Sequence, residues 1–551
     1  MRVLGIEGTA WAASAALYDT ATDETQIRSD AYQPESGGIH PREASEHMSE
    51  AIPAVVEAVL DEADGRVDAV AFSRGPGLGP CLRIAGTAAR ALAGTLEKPL
   101  VGVNHMLAHA EIGRHRAGFA DPVCLNASGA NAHLLGYRDG RYRILGETMD
   151  AGVGNAIDKF ARHLGWSHPG GPKVEARARD GAYLDLPYVV KGMDFSFAGV
   201  SSAAQAAVDD GADVADVCRG LQETVFASLT EAAERALALT GRDELVLGGG
   251  VGQNARLREM LATMCDERGA AFFAPEPRFL RDNAGMIAVL GAKMAAAGET
   301  VAIADSAVDP NFRPDEVAVT WWDASSERSG DDETERGERS DPREARMDAS
   351  SERSGDDETT PTRGAEATVA VEGDRVVKTR VAKSYRHPAL DERLRRDRTR
   401  AEARLTSEAR RTGVPTPLVR DVDLAEARLV FERVGDRDLA DALTPERARR
   451  VGEHLATLHA AGLVHGDPTT RNARVGDGER LWLIDFGLGE HSGHVEDHAM
   501  DLHVFAGSVA ATADEAAARA AREAALAGYR AAGDEAVLDR LDAVEARGRY
   551  R

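Results

Sequence analysis

Along residues 1–322 the apolar positions come in short runs that switch between strand and helix spacing. Residues 2–17 predict a strand, a tight polar turn at Gly8 and Thr9, and a second strand beginning at Ala12. Residues 40–62 predict a helix and 67–73 a buried strand. A glycine-rich passage from Ser73 to Arg83 leads into a helix predicted over 82–96. Further strands are predicted to end at Val123-Cys124-Leu125 and to run over 244–247, the latter opening into Gly248-Gly249-Gly250. Strands alternating with helices predict α/β structure.

From Asp323 the periodicity stops. Asp-Ala-Ser-Ser-Glu-Arg-Ser-Gly-Asp-Asp-Glu-Thr fills 323–334 and recurs at 348–359, starting 25 residues later. Nothing in 323–360 can bury a core, so this stretch reads as an acidic, disordered linker carrying a duplication. Periodic apolar positions return near Pro361, so three parts are expected: 1–322, the linker 323–360, and a second domain over 361–551.

Composition narrows the class. A hydrophobic content of 43% suffices for packed domains. No run of about 18 apolar residues predicts a membrane span, and Glu7 comes too early for a secretory signal. Cys81, Cys124, Cys218 and Cys265 are scattered, as in a reduced, cytoplasmic protein. The formal charge is -25, and only seven lysines occur, at 98, 159, 173, 191, 293, 378 and 383. This reads as adaptation to a salty cytoplasm, the alternative being an ordinary acidic protein from a GC-rich genome. The net charge argues against a nucleic-acid partner. That argument weakens in molar salt, where screening falls to about 3 Å and local patches decide.

The first candidate chemistry is His105-Met106-Leu107-Ala108-His109. Imidazoles four apart share one helix face and can hold one metal ion, or they are surface or capping residues. Peptide hydrolysis needs Glu after the first histidine, where Met106 stands. Several glycine turns fit phosphate: Gly8-Thr9, the passage from Ser73 to Arg83 ahead of its helix, and Asn126-Ala127-Ser128-Gly129-Ala130-Asn131. A strand leading into Gly248 to Asn254 has the layout of a nucleotide turn, and Arg281-Asp282-Asn283 opens an apolar helix. Two α/β lobes around a nucleotide cleft are expected.

That architecture is similar to the actin, hexokinase and Hsp70 superfamily. The ordered set Gly-Ile-Glu-Gly-Thr, Arg-Gly-Pro-Gly-Leu-Gly, His-x-x-x-His, Ser-Gly, Gly-Asn-Ala-x-Asp-Lys, His-Pro-Gly-Gly-Pro, Phe-Ser-Phe and Asp-Asn is more specific. Over about 1–322 it resembles the tRNA threonylcarbamoyladenosine transferases. The resemblance implies one iron or zinc ion on His105, His109 and Asp282, with Asn126 where the family has tyrosine. It implies threonylcarbamoyl-adenylate bound by Asn126, Ala127, Ser128, Gly129, Ala130, Asp158, Gly171, Glu175 and Asn254. The reaction implied is transfer of the threonylcarbamoyl group to the N(6) amine of the adenosine beside the anticodon, in tRNAs reading ANN codons.

In the second domain, Lys378, Glu402, His465-Gly466-Asp467, Asn472 and Asp485-Phe486-Gly487 follow the protein-kinase order. The glycine loop is reduced to Gly364-Ala365-Glu366-Ala367 and no Ala-Pro-Glu follows. With Tyr385-Arg386-His387-Pro388 and Arg398-Thr399-Arg400, this resembles the small atypical serine/threonine kinase of the KEOPS complex, which some archaea fuse behind the transferase. The implied roles are ATP contact by Gly364, Ala365, Glu366, Ala367, Val369 and Lys378, orientation of Lys378 by Glu402, Asp467 as base, and magnesium on Asn472 and Asp485. ATP hydrolysis is as compatible with this pattern as protein phosphorylation. Implied partners are tRNA, threonylcarbamoyl-AMP and other KEOPS subunits. The tail Arg547-Gly548-Arg549-Tyr550-Arg551 is a candidate tRNA contact or a disordered end. The competing classes are a nucleotide-gated, chaperone-like scaffold with an Hsp70-like cleft and a small-molecule kinase; neither needs the histidine pair.

Overall fold

The computed structural model describes residues 1–32, 40–63, 65–322, 361–477 and 480–545. The predicted linker and the basic tail lie outside the described residues.

The first part is built from one plan used twice. Its first sheet orders Glu24–Ala31, Ala12–Asp19, Arg2–Glu7, Ala69–Gly75 and Leu100–Asn104. The first three strands are antiparallel and the last two join in parallel. The second sheet repeats this order with Arg141–Glu147, Ala132–Arg138, Val123–Ala127, Glu244–Gly248 and Ala271–Phe273. In each sheet the parallel central strands are apolar nearly throughout, as burial on both faces requires. Helices Pro41–Glu62 and Gly79–Leu96 pack together beside the first sheet, and the 27-residue helix Val214–Thr240 packs against the second. The two-lobed expectation is borne out.

Between the lobes lies His105–Ala117, buried at every position from His105 to Gly113. It has no polar face because it has no solvent side. Asn104 caps it, Oδ1 accepting from the N–H groups of Met106 and Leu107 at 3.0 and 3.1 Å. Beside it runs the apolar helix Ala284–Ala296. Glu111 ties this region together, accepting from Tyr142 Oη at 2.7 Å, Trp322 Nε1 at 2.6 Å and Lys293 Nζ at 3.1 Å. Removing that carboxylate would leave Lys293 and Arg114 facing each other in the interior, a loss of about 3–5 kcal/mol.

The second part begins with a five-stranded antiparallel sheet in the order Thr362–Arg363, Ala367–Glu372, Arg375–Arg380, Arg428–Glu432 and Val419–Asp423. Helix Pro388–Arg411 packs on it, and Pro445–Ala460, Val495–Thr512, Glu515–Ala532 and Glu535–Glu545 make a helical body with its own apolar core. Among the described residues no helix is long and apolar enough to cross a membrane.

Candidate functional site

Two clusters collect the residues singled out from the sequence. The first lies between the lobes. His105 and His109 sit one turn apart at the start of the central helix, and their Nε2 atoms both reach Asp282 Oδ1, each at 3.4 Å. The three ligand atoms lie within 4.8 Å of one another. Asp282 is free to turn inward because its neighbour Asn283 takes the capping role, accepting from Met286 N at 3.1 Å.

The donor set suits a metal ion. Both ring nitrogens of His109 and Oδ1 of Asn126 are buried without a hydrogen-bond partner. Such groups are costly to leave unpaired. The two imidazoles and the carboxylate that do converge suit iron or zinc. Burial lowers the proton affinity of both histidines, but the carboxylates of Glu7 and Asp282 override it at His105 and push that group up to about 10. Asp282 is held well below the usual carboxylate range, its two histidine partners outweighing burial.

The expected adenylate residues form one connected rim leading away from these ligands. A Cβ on Gly249 (φ 83°) would stand 2.3 Å from Ala127 O and 2.6 Å from Asn126 Oδ1, so only glycine lets the turn after Glu244–Gly248 approach so closely. Gly154 N and Asn155 N donate to the carbonyls of Ser128 and Gly129 at 3.1 and 2.9 Å, which pins the Ser128-Gly129-Ala130 turn. Asp158 Oδ1 accepts from Gly170 N at 2.7 Å, just before Gly171 opens the helix Gly171–Ala178. Glu175 on that helix accepts from Ala255 N at 3.1 Å, next to Asn254. Asn254 caps its own helix through Oδ1 and donates Nδ2 to Gln222 at 3.3 Å.

The second cluster lies in the second part. Lys378 Nζ meets Glu402 at 2.8 Å and Asp485 at 2.7 Å. Asp467 receives Asn472 Nδ2 at 3.0 Å. Glu366, from the shortened loop, accepts from Arg380 at 2.6 Å and pairs with Arg235 and Arg398. Gly364, Ala365 and Ala367 form the turn above it, Gly364 N donating to Ala367 O at 2.9 Å, and Val369 pairs with Lys378 across the strands. Burial raises Asp467 to about 7 against the pull of Arg235. Burial also works against Asp485, yet Lys378 and Arg380 bring it down to about 2.

Sequence reasoning gave no role to four residues that the structure places here. Glu7, inside the quoted Gly-Ile-Glu-Gly-Thr motif, accepts from His105 Nδ1 at 3.2 Å. Asp501 braces the 465–467 loop, accepting from the N–H groups of His465 and Gly466 at 2.8 Å each. Arg380 joins Glu402 and Glu366. Arg235 comes from the helix Val214–Thr240 of the first part and binds Asp467 at 2.8 Å. No sequence signal links Arg235 to a site 232 residues away.

Comparison with known proteins agrees with the first cluster's motifs. Residues 21–289 match the family described as tRNA N6-adenosine threonylcarbamoyltransferase (TsaD). Along the whole chain, the similarity is to proteins each described as "Probable bifunctional tRNA threonylcarbamoyladenosine biosynthesis protein". The relative from Halobacterium salinarum is 66% identical over 100% of this chain and 99% of its own length. That from Haloarcula marismortui is 63% identical over 100% of both. That from Methanospirillum hungatei is 49% identical over 100% of this chain and 99% of its own. The chain belongs to this bifunctional family. Membership of a family that includes salt-loving archaea fits the acidic, lysine-poor composition.

Proposed function

We propose that the first part transfers a threonylcarbamoyl group from threonylcarbamoyl-AMP to the N(6) amine of an adenosine in tRNA, and that the second part is a kinase-like ATPase supporting it within a KEOPS assembly. The observation that carries the first reading is the meeting of His105, His109 and Asp282 between the lobes, with the Gly248-Gly249 turn packed against His109 and Asn126. An iron or zinc ion held by those three side chains would supply Lewis-acid polarisation of a phosphate or carbonyl oxygen.

The chain's own residues position the reactants. In the turn Ser128-Gly129-Ala130, held by Gly154 and Asn155, Ser128 N is bonded to Asn131 O, which leaves the N–H groups of Gly129 and Ala130 for phosphate. Asp158, which meets Gly170 N and His168 Nδ1, and Glu175, which meets Ala255 N and Arg179, each have lone pairs left to accept from ribose hydroxyls. The incoming amine bonds to the carbamoyl carbon, the C–O bond to the phosphate breaks, AMP departs with the bonding pair, and the amine proton passes to solvent. Holding both partners in line is where most of the acceleration would arise.

In the second part the proposed roles are Lys378, paired with Glu402, on ATP phosphates, Asn472 and Asp485 on magnesium, and Asp467 on the attacking water or hydroxyl; the Lys378–Glu402 and Asp467–Asn472 contacts support them. The test is mass spectrometry of tRNA nucleosides after incubation with the protein, its partner subunits, ATP and threonylcarbamoyl-AMP in high salt. Threonylcarbamoyladenosine is expected. Its absence with verified partners would favour an assembly scaffold.

A further inference from the structure

Glu7 is fully buried at the end of the first strand, and every polar contact it makes can be named. Oε1 accepts from Thr9 N at 2.7 Å. Oε2 accepts from Ser73 Oγ and faces His105 Nδ1 at 3.2 Å. The opposite ring nitrogen of His105, Nε2, points to Asp282 and the candidate metal position.

We infer that Glu7 is a positioning residue for the metal centre: it holds the Nδ1 proton of His105, so the lone pair of Nε2 is presented to the ion. This rests on the metal reading proposed above. A neutral imidazole carries one proton, and the nitrogen that bears it cannot ligate. A carboxylate with no donor of its own can face only a protonated Nδ1. The fixed contacts around Glu7 remove the alternative. Thr9 N is a backbone donor that cannot turn away, so an acceptor oxygen must stay opposite it. Outward carboxylate support of a ligating histidine also raises ligand basicity.

The same geometry says what the isosteric amide would do. In Glu7→Gln the amide oxygen must face Thr9 N, which puts the NH2 group where Oε2 now lies. That group donates towards His105 Nδ1, which must then accept, and the ring proton moves to Nε2. The ligand atom is blocked without a change of shape. Ser73→Ala supplies the contrast: it removes a second Glu7 partner but leaves the His105 contact in place.

The experiment is a cobalt(II) titration of the full chain with chelator competition, read by the visible absorption of the bound ion. It is run on the unaltered protein, Glu7→Gln and Ser73→Ala, with thermal melting to check folding. One tightly bound ion is expected in the unaltered protein and in Ser73→Ala, with affinity reduced about 10–100-fold in Glu7→Gln. Equal affinity in Glu7→Gln overturns the inference. Equal losses in Glu7→Gln and Ser73→Ala also overturn it, because Glu7 would then only brace the turn. If the unaltered protein binds no ion, the metal reading itself fails. Should Glu7→Gln not fold, Glu7→Asp reads the same contact: one methylene shorter, it cannot span Thr9 N and His105 together, and a comparable loss is expected.

Discussion

The two clusters handle buried charge in opposite ways. Between the lobes, His109 Nδ1 and Asn126 Oδ1 are left without hydrogen-bond partners, and two imidazoles converge on one carboxylate oxygen. In the second part the charged groups are paired with one another: Lys378 with Glu402 and Asp485, Glu366 with three arginines, and Asp467 with Arg235. The first arrangement leaves buried polar atoms open, whereas the carboxylates of the second are met by cations, one of them, Arg235, from the other domain. Helix Val214–Thr240 carries Gln222, which meets Asn254 of the proposed adenylate rim, and thirteen residues on it carries Arg235, which meets Asp467. On the proposed reading, nucleotide entering the second site would have to displace ion pairs, whereas a metal ion entering the first would meet three side chains already gathered.

The contrast breaks most visibly at Asp485. Asp485→Ala removes a proposed magnesium ligand but leaves the Lys378–Glu402 pair. ATP turnover by the full chain is expected to fall by about two orders of magnitude or more, whether water or a hydroxyl is the acceptor. Normal turnover would remove the second cluster from consideration as an ATP site.

A smaller effect sharpens the role of the Arg235 contact. A base must be deprotonated, and Asp467 stands at about 7, so turnover should rise with pH through that value. Arg235 favours the carboxylate form, so Arg235→Ala should move this rising limb to higher pH. A pH–rate profile of both proteins decides it; an unmoved or lowered limb would mean that Arg235 does not act on Asp467.

The least perturbing change is to the linker. The halves meet through Lys383–Glu234 at 2.5 Å, Arg386–Glu231 at 2.6 Å and Arg398–Glu231 at 3.0 Å, all buried and none within 323–360. Cutting the chain once inside that stretch should leave the halves co-eluting in gel filtration, in molar salt as well, since buried pairs are screened little. Separation on cutting would show that the linker holds them.

The lobes were legible because strand runs, glycine turns and capping residues are local signals. His105, His109 and Asp282 were legible because spacing and motif order carry them. What the sequence hid was pairing over distance. Glu7 stands 98 positions from His105 and Arg235 stands 232 from Asp467; neither contact leaves a periodicity. The reduced loop was readable as a loop, but not the use of Glu366 to collect Arg235, Arg380 and Arg398. The repeated sheet order is likewise absent from the sequence, because it resides in topology and not in repeated residues.

The central claim is that the histidine pair serves threonylcarbamoyl transfer. It is tested most directly by His109→Ala, assayed beside the unaltered protein for bound metal and for threonylcarbamoyladenosine by mass spectrometry in the same samples. Among the described residues the one polar contact of the His109 ring is to Asp282 at 3.4 Å, so thermal melting beside the assay checks that the variant folds. The account predicts that metal content and modified nucleoside fall together, the latter by at least about 10-fold as a directly ligating group is lost. Undiminished modification in His109→Ala, with or without metal, would contradict it.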